Sequence, residues 1–350
     1  MLVKAETILR ESHGELLVSK YRLKQAEGIA LVRANREEGR QPLAFASRPF
    51  ILCGLPIRRP PSEQLLFERR NGNFLLQITG HPQFGLPFGQ DRLVLIFLAT
   101  LAVRQKNQTV RFRSAAEMLD TFGMAKGGKE YRRIVAAFER IFGATMFFST
   151  ESTRSTATVI HRSRFNFLKE AEIWYSRSGD PPTGQNTITL SDEFYSEISC
   201  HPIPADLEAI KVLAAAPALL DLFMWLSYRC FVAKGPESIP LFGLFGLTQQ
   251  LGCVEYSRPS RFRAMLEQWL QTIRALWPDC PAAIGGNGAY LRIDRSIAVL
   301  RQAENQEYRS GHLRVPEVDA RVPGPIEFAT DSSRRAADNP RGRPRTGDSL

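Results

Sequence analysis

The sequence has few of the residues that build metal centres or disulfide frameworks. Its five cysteines are scattered, with no CxxC pair, and its five histidines show no ligand spacing. An odd number of dispersed thiols fits a reducing cytoplasm better than a disulfide scaffold or a zinc site. We therefore expect free thiols, no metal site and a cytoplasmic location.

Long apolar segments are also missing. Residues Leu93–Val103 are uniformly apolar, but they are far fewer than the ~20 needed to cross a bilayer. The longer apolar stretch, residues 213–232, is interrupted by Pro217, Asp221 and Arg229. The N-terminus has no apolar core and no small-residue cleavage site, so we expect no signal peptide. The sequence therefore predicts no membrane partner.

Catalytic patterns are equally scarce. Residues Gly123–Lys129 match the GxxxxGK part of a P-loop, but Glu130 stands where Ser or Thr should bind Mg²⁺, and a helix precedes the segment. No HxH pair lies near a tyrosine, and no dense carboxylate pair is flanked by strands. Tyr131 falls on an apolar stripe and Tyr195 lacks a basic cluster, so both are predicted to pack in the core. We expect no catalytic residue and no cofactor.

Positive charge, by contrast, is abundant. The 350 residues include 46 Lys and Arg against 36 Asp and Glu, for a formal net charge of +10. A basic excess favours a polyanionic partner, either nucleic acid or an anionic membrane surface. The hydrophobic content of 43% is ample for packed cores, and the length predicts two or three domains.

The segment Ser114–Phe148 has the pattern of a helix-turn-helix motif. A short helix is followed by a glycine-containing turn and a second helix with one apolar face. The predicted buried face consists of Tyr131, Ile134, Val135, Phe138, Ile141 and Phe142. The opposite face carries Lys129, Arg132, Arg133, Ala136 and Arg140. Because the second helix of such a motif lies in the DNA major groove, we predict that this face contacts DNA. A solvated basic face on an ordinary core helix is the alternative.

Flanking segments complete the order of a winged helix. An apolar helix over Asp91–Lys106 and a short strand over Thr109–Arg113 precede the motif, and a hairpin over residues 144–167 follows it. The hairpin, or wing, carries Arg154, Arg162 and Arg164, whose charge would meet the phosphate backbone or the minor groove. Further upstream, residues 65–79 predict two strands around Asn71-Gly72, a strong hairpin signal.

The order of elements repeats after Pro217. An apolar helix, a short strand, a turn segment, a long helix over Ser260–Trp277 and two strands follow one another, and the pairs Gly123 and Gly252, and Arg132 and Arg263, are almost equally far apart. The repeat predicts a second winged helix. Its DNA-contacting residues are predicted to be Arg261, Arg263 and Gln271. Contact with another protein is the alternative role for this helix.

The sequence therefore predicts an α+β protein with two tandem winged-helix domains. The N-terminal charged residues predict a helix on the main body or a partly disordered arm, and residues 331–350 lack aromatics and contain five Arg, which is typical of disorder. The predicted divisions are an N-terminal extension and linker over 1–64, a first winged helix over 65–178, a second over 187–303 and a disordered basic tail over 304–350.

Several blocks of the chain resemble the plasmid RepA-type replication initiators of proteobacteria. These blocks are Arg69–Arg92, Leu93–Arg104, His201–Leu213, Trp225–Cys230, Ile239–Gly243 and Trp277–Ala282. The resemblance implies a protein that binds repeated sites in a plasmid origin, helps to melt an adjacent AT-rich region and recruits host helicase and primase. It also implies homodimers that repress their own promoter, beside monomers that act at the origin.

Two other functions are open at this point. A transcriptional repressor with two winged helices would have the same sequence features. A strand-nicking initiator would be an enzyme, and it would need a metal ion and a nucleophilic tyrosine. We expect the non-enzymatic initiator, with double-stranded origin DNA as its partner.

Overall fold

A computed structural model describes residues 20–71, 74–154, 157–173, 185–243, 246–253 and 258–299. The predicted basic tail, most of the segment between the two predicted domains (179–186) and the first 19 residues lie outside these ranges. The helices are α1 (Lys20–Glu37), α2 (Arg48–Leu52), α3 (Arg92–Gln105), α4 (Ala115–Thr121), α5 (Gly128–Gly143), α6 (Asp192–Cys200), α7 (Leu207–Leu213), α8 (Pro217–Val232), α9 (Leu247–Gln250) and α10 (Pro259–Leu276).

The strands are interspersed with these helices and pair only antiparallel in the described residues, which confirms the predicted α+β class. They are β1 (Leu43–Ala46), β2 (Leu66–Asn71), β3 (Phe74–Thr79), β4 (Thr109–Phe112), β5 (Thr145–Arg154), β6 (Ala157–Asn166), β7 (Leu168–Glu172), β8 (Asn186–Leu190), β9 (Ile203–Asp206), β10 (Glu237–Pro240), β11 (Ala283–Gly285) and β12 (Tyr290–Ile293).

The first winged-helix motif runs from α3 to β6 in the predicted order. Helix α3 is apolar all round and almost wholly buried, as expected for a helix without a solvent face. Helices α4 and α5 flank a turn in which Gly123 has a φ of 60°. Glycine suits this left-handed conformation because it has no Cβ. The segment that matches part of a P-loop is therefore the turn of the motif.

The wing of the first motif belongs to a four-stranded antiparallel sheet with the order β2-β3-β5-β6. Strand β3 pairs with β5 from Phe74 opposite Thr150 to Thr79 opposite Thr145. The hairpin predicted over residues 65–79 thus extends the wing. A separate sheet has the order β4-β8-β7, so the predicted division between the domains falls between two paired strands.

The second winged-helix motif runs from α8 to β12 and repeats the helix order of the first. Its sheet has the order β10-β12-β11, so the strand before the helix-turn-helix pairs directly with the wing. In the first motif the corresponding strand, β4, pairs with β8 instead. The predicted repeat is therefore present in the order of elements, while the strand pairing differs between the two motifs.

One hydrophobic core runs through both motifs, with the largest buried side chains at Trp225, Trp277 and Phe122. In α10 the core face holds Phe262, Leu266, Leu270, Ile273 and Leu276. Met265 and Trp269 are partly buried and pack against this face.

One predicted core residue of α5 is wrong. Phe142 is 46% exposed, and Ala137 is buried in its place on the core face. Successive helical residues point about 100° apart, and Phe142 falls beyond the edge of the core face, which is centred on Ile134 and Ile141. Tyr131 and Val135 lie at the margin of the core face and are half-buried.

The N-terminal charged segment forms the helix α1, which packs on α7 and α10. Helix α6 is capped by Ser191, whose hydroxyl accepts a hydrogen bond from the Phe194 amide at 3.2 Å. No helix in the described ranges is long and apolar enough to cross a membrane.

All five cysteines are free thiols, as predicted. Four of them are buried and Cys200 is exposed. Burial raises the pKa of Cys53 to about 12 and that of Cys230 to about 12, so these thiols stay protonated and unreactive at neutral pH. In the part of the chain that the structure describes, no cluster of three or more His, Cys, Asp or Glu side chains could hold a metal ion.

Candidate DNA-binding surface

The outer face of α5 presents two free cations near the start of the helix. Lys129 and Arg132 are exposed, and neither forms an ion pair within the described residues. The helix begins at Gly128, after the turn at Gly123. The positive end of the helix dipole adds to the charge of both side chains at this end. This corner of the motif can therefore bind an anion such as a phosphate group.

Arg133 and Ala136 lie at the margin of this face. Both are half-buried, and the Arg133 guanidinium is 3.1 Å from the carboxylate of Glu130, one helical turn earlier. Arg133 also lines a cleft of about 650 Å³ between α5, α1 and α7. The structure therefore places Arg133 at the edge of the outer face, turned towards α1, and not at its centre.

Arg140 requires a correction, because it is held inside the protein. Its Nε and NH2 atoms donate to the two carboxylate oxygens of Asp91 at 2.6 and 2.8 Å. The Asp91 side chain is only 4% exposed, and the guanidinium lies 4.7 Å from the centre of the Phe88 ring. The prediction that Arg140 contacts DNA is therefore withdrawn. Its partner comes from a loop 49 residues earlier in the chain, which helical periodicity does not reveal.

Replacing Arg140 by alanine is expected to destabilise the fold by about 3 kcal/mol, because a buried carboxylate loses its partner. Urea unfolding followed by circular dichroism measures this change. The matched control is Glu139→Ala, the neighbouring exposed residue, which should unfold at the parental midpoint. Equal midpoints for both variants and the parent would show that the Asp91 pair does not stabilise the helix.

The wing of the first motif carries two exposed cations on one strand. Arg162 and Arg164 are exposed and lie two residues apart on β6, so they share a face of the sheet. They stand opposite Ser149 and Phe147 of β5. Arg154 ends β5 at the hairpin tip, and its side chain lies outside the described part of the structure.

In the second motif the three predicted residues have different environments. Arg261 and Gln271 are exposed on α10. Arg263 is half-buried: its Cδ would be 2.8 Å from a Cβ placed on Gly288 of the wing turn, and its guanidinium lies 5.9 Å from the Phe242 ring. Arg263 therefore packs between α10 and the turn that joins β11 to β12.

The structure also exposes two residues that sequence reasoning missed. Tyr290 is 43% exposed and Arg292 is exposed, both on β12, while the alternate residues Leu291 and Ile293 are buried. The alternation of polar and apolar residues in this strand was a readable signal. It would have added an aromatic ring and a cation to the second wing.

The fold has two helix-turn-helix units, each followed by two strands, with exposed cations on α5 and β6 of the first unit. Residues 57–210 match the model of the family described as Replication initiator protein A. This match confirms the resemblance for the part of the chain that it covers and supports a role in the initiation of replication. The matched segment contains the first motif, and the second motif lies beyond it.

Two solved structures of RctB, each containing its domains 2 and 3, are similar to this chain. The selenomethionine derivative has 15% sequence identity and a TM-score of 0.44 and covers 70% of this chain and 94% of its own. The other has 15% identity and a TM-score of 0.45 and covers 73% of this chain and 97% of its own. No curated protein matches the chain significantly.

Proposed function

We propose that the protein is a replication initiator that binds repeated origin DNA sites sequence-specifically through its winged helices. The family match over residues 57–210 supports the initiator role. The proposed DNA contact rests on Lys129 and Arg132, which are exposed and free of ion pairs in the described residues. Both lie near the start of α5, which we call the first reading helix; α10 is the second.

In the proposed complex, α5 enters the major groove with its N-terminal half. Lys129 neutralises a phosphate, and Arg132 reaches either a phosphate or the O6 and N7 atoms of a guanine. Arg162 and Arg164 contact the backbone beside the groove from the wing. The second motif adds Arg261 and Gln271, and Gln suits adenine in the major groove. Binding of this kind weakens steeply as the salt concentration rises.

The later steps of initiation are proposed from the resemblance alone. Binding to repeated sites promotes melting of an adjacent AT-rich region and recruits the host helicase and primase. Dimers repress the promoter of the gene, and monomers act at the origin. The protein catalyses no covalent step in this scheme, so it needs neither a cofactor nor a metal ion, and it acts in the cytoplasm.

Autonomous replication tests the proposal directly. A plasmid that carries only this gene and its candidate origin, without another replicon, should be maintained in a proteobacterial host. The same plasmid with Lys129→Ala plus Arg132→Ala should be lost, while one with Glu139→Ala should persist. If the double variant also supports replication, the DNA-contact assignment is wrong, and if the parental plasmid fails, the initiator role is in doubt.

The same origin plasmid tests the alternative that the protein is a strand-nicking enzyme. Incubation of the purified protein with supercoiled origin plasmid and Mg²⁺ should leave the plasmid supercoiled. Appearance of nicked circles that depends on the protein would overturn the non-enzymatic part of the proposal.

A further inference from the structure

Helix α1 lies before the segment that matches the initiator family, yet it contacts both winged-helix motifs. At its N-terminal half, the Lys24 ammonium donates a hydrogen bond to the carbonyl oxygen of Gly123 at 2.9 Å. Gly123 is the left-handed residue in the turn between α4 and α5. The N-terminal half of α1 therefore contacts the turn between α4 and α5, and the conformation of this turn sets the direction of α5.

The middle of α1 packs tightly on α7, the short helix between the two motifs. A Cβ placed on Gly28 would be only 2.7 Å from Cγ2 of Val212. Ala26 and Val32 on the same helix are 4% and 1% exposed. A larger side chain at position 28 would therefore push the two helices apart.

The C-terminal half of α1 holds the far end of the second reading helix. The Arg33 Nε donates to the carbonyl oxygen of Ala275 at 2.7 Å, in the last turn of α10. Arg36 donates to the carbonyl oxygens of Ala298 and Ile297, at 2.5 and 3.0 Å, in the segment after the second wing. Carbonyl groups at the end of a helix lack intrahelical partners, and a cation there also suits the helix dipole.

These contacts add an attachment between the motifs to the one made by their shared core. Within that core, Arg92 of α3 pairs with Asp221 of α8, the first helices of the two motifs. Contacts at both ends of α1, in addition to the core, restrain the orientation of the two motifs. The 18 residues of α1 span about 27 Å, and this length lets the helix contact the turn before α5 and the last turn of α10.

We infer that α1 is a strut that sets the distance and angle between the two reading helices. It thereby determines the spacing of the two DNA half-sites that one molecule accepts. The structural part of the inference stands on the contacts of α1 alone, and its consequence for DNA rests on the proposed function.

The distance between the reading helices tests the strut without DNA. Spin labels are attached to Glu139→Cys on α5 and Gln268→Cys on α10, both exposed positions, with the exposed native thiol removed by Cys200→Ser. Pulsed electron paramagnetic resonance should give one narrow distribution of the distance between the two labels. The same distribution is expected when Glu37→Ala, an exposed control on α1, is added. Lys24→Ala plus Arg33→Ala should broaden or shift it, and so should Gly28→Leu.

The double alanine variant only removes side-chain atoms, so it introduces no steric clash that could unfold the protein. Its circular dichroism spectrum and unfolding midpoint show whether it is folded. An unchanged distance distribution in a folded double variant would overturn the strut. An unfolded double variant leaves the decision to Gly28→Leu and to the single variants Lys24→Ala and Arg33→Ala, under the same criterion.

A DNA measurement then tests the consequence. The probe is a duplex selected from a random library by the parental protein, together with a copy that carries ~5 added base pairs between its half-sites, half a helical turn. The insertion should weaken binding by the parent at least about 10-fold and binding by Lys24→Ala plus Arg33→Ala about 3-fold or less. Equal losses for both proteins would overturn the role in spacing. Failure of the parent to select any duplex would count against the proposed function, while the distance measurement would still decide the strut.

Discussion

Replacing Lys129 and Arg132 together by alanine is expected to lower the affinity for origin DNA about 100-fold at physiological salt. One lost phosphate contact and one lost groove contact, at ~1–3 kcal/mol for a base-contacting arginine, account for a loss of this size. Both side chains are exposed and make no ion pair in the described structure, so their removal should leave the fold unchanged. Fluorescence anisotropy with labelled origin duplex measures the affinity.

The salt dependence separates the two kinds of contact. Each lost phosphate contact reduces the slope of log K against log salt by about 1, whereas a lost base contact lowers specificity with little change in slope. We expect Lys129→Ala to reduce the slope. Whether Arg132→Ala reduces the slope or the preference for origin over random duplex decides between the phosphate and the guanine assignment.

The matched control removes the same charge elsewhere. Lys169 on β7 and Lys234 after α8 are both exposed, and their double alanine variant has the same net charge as the α5 variant. It should bind origin DNA within about 3-fold of the parent, because neither lysine lies on α5, β6 or α10, which carry the predicted DNA contacts. A loss as large as that of the α5 variant would show that only the total charge matters, and the assignment of α5 as a reading helix would fall.

Replacing Asp221 by alanine is expected to destabilise the protein by about 4 kcal/mol. The Asp221 carboxylate pairs with Arg92, and Arg69 lies close enough to interact with both groups. Arg69 and Arg92 are only 6% and 5% exposed. Removing the carboxylate leaves two buried guanidinium groups without a counter-charge, the costly case for a buried ion pair. Burial already lowers the pKa of Arg69, and the Asp221 carboxylate opposes that shift.

This cluster joins the two motifs, so its loss should also reduce the cooperativity of unfolding. Arg69 extends from β2 to the turn of the second motif, where a Cβ on Gly252 would be 1.6 Å from its NH2 atom. Urea unfolding of Asp221→Ala should therefore show a lower midpoint, and a lower slope if the two motifs separate.

The control for this variant is Asp279→Ala. Asp279 is 77% exposed in a pair with Arg36 at 3.4 Å, and an exposed pair contributes only about 0–1 kcal/mol. A free energy of unfolding for Asp221→Ala within 1 kcal/mol of the parent would contradict the assigned role of the buried cluster.

Local patterns were sufficient for the order of elements. Periodicity placed α5 and α10, the glycines marked both helix-turn-helix turns, and Asn71-Gly72 marked the hairpin β2–β3. Each of these signals depends on residues close together in the chain, which is the range over which helical period and turn chemistry act. The same range explains why the helix order of the two motifs could be recognised as a repeat.

Partners distant in sequence decided the composition of the candidate site. Arg140 and Lys129 look equivalent on a helical projection, but Asp91 neutralises the first and leaves the second free. Strand pairing is also a long-range property, so neither the joining of β3 to β5 nor the pairing of β4 with β8 was visible in the sequence.

The amino-acid sequence alone therefore determined that this is a basic α+β protein with two helix-turn-helix units, because those features follow from composition and short-range periodicity. Only the tertiary structure decided which cations remain exposed and unpaired among the described residues, how the first wing is extended and which contacts of α1 join the two motifs. The reason is that the free energy of a charge or a strand edge depends on the groups packed against it. For Arg140, Arg69 and α1, those groups lie far away in the chain.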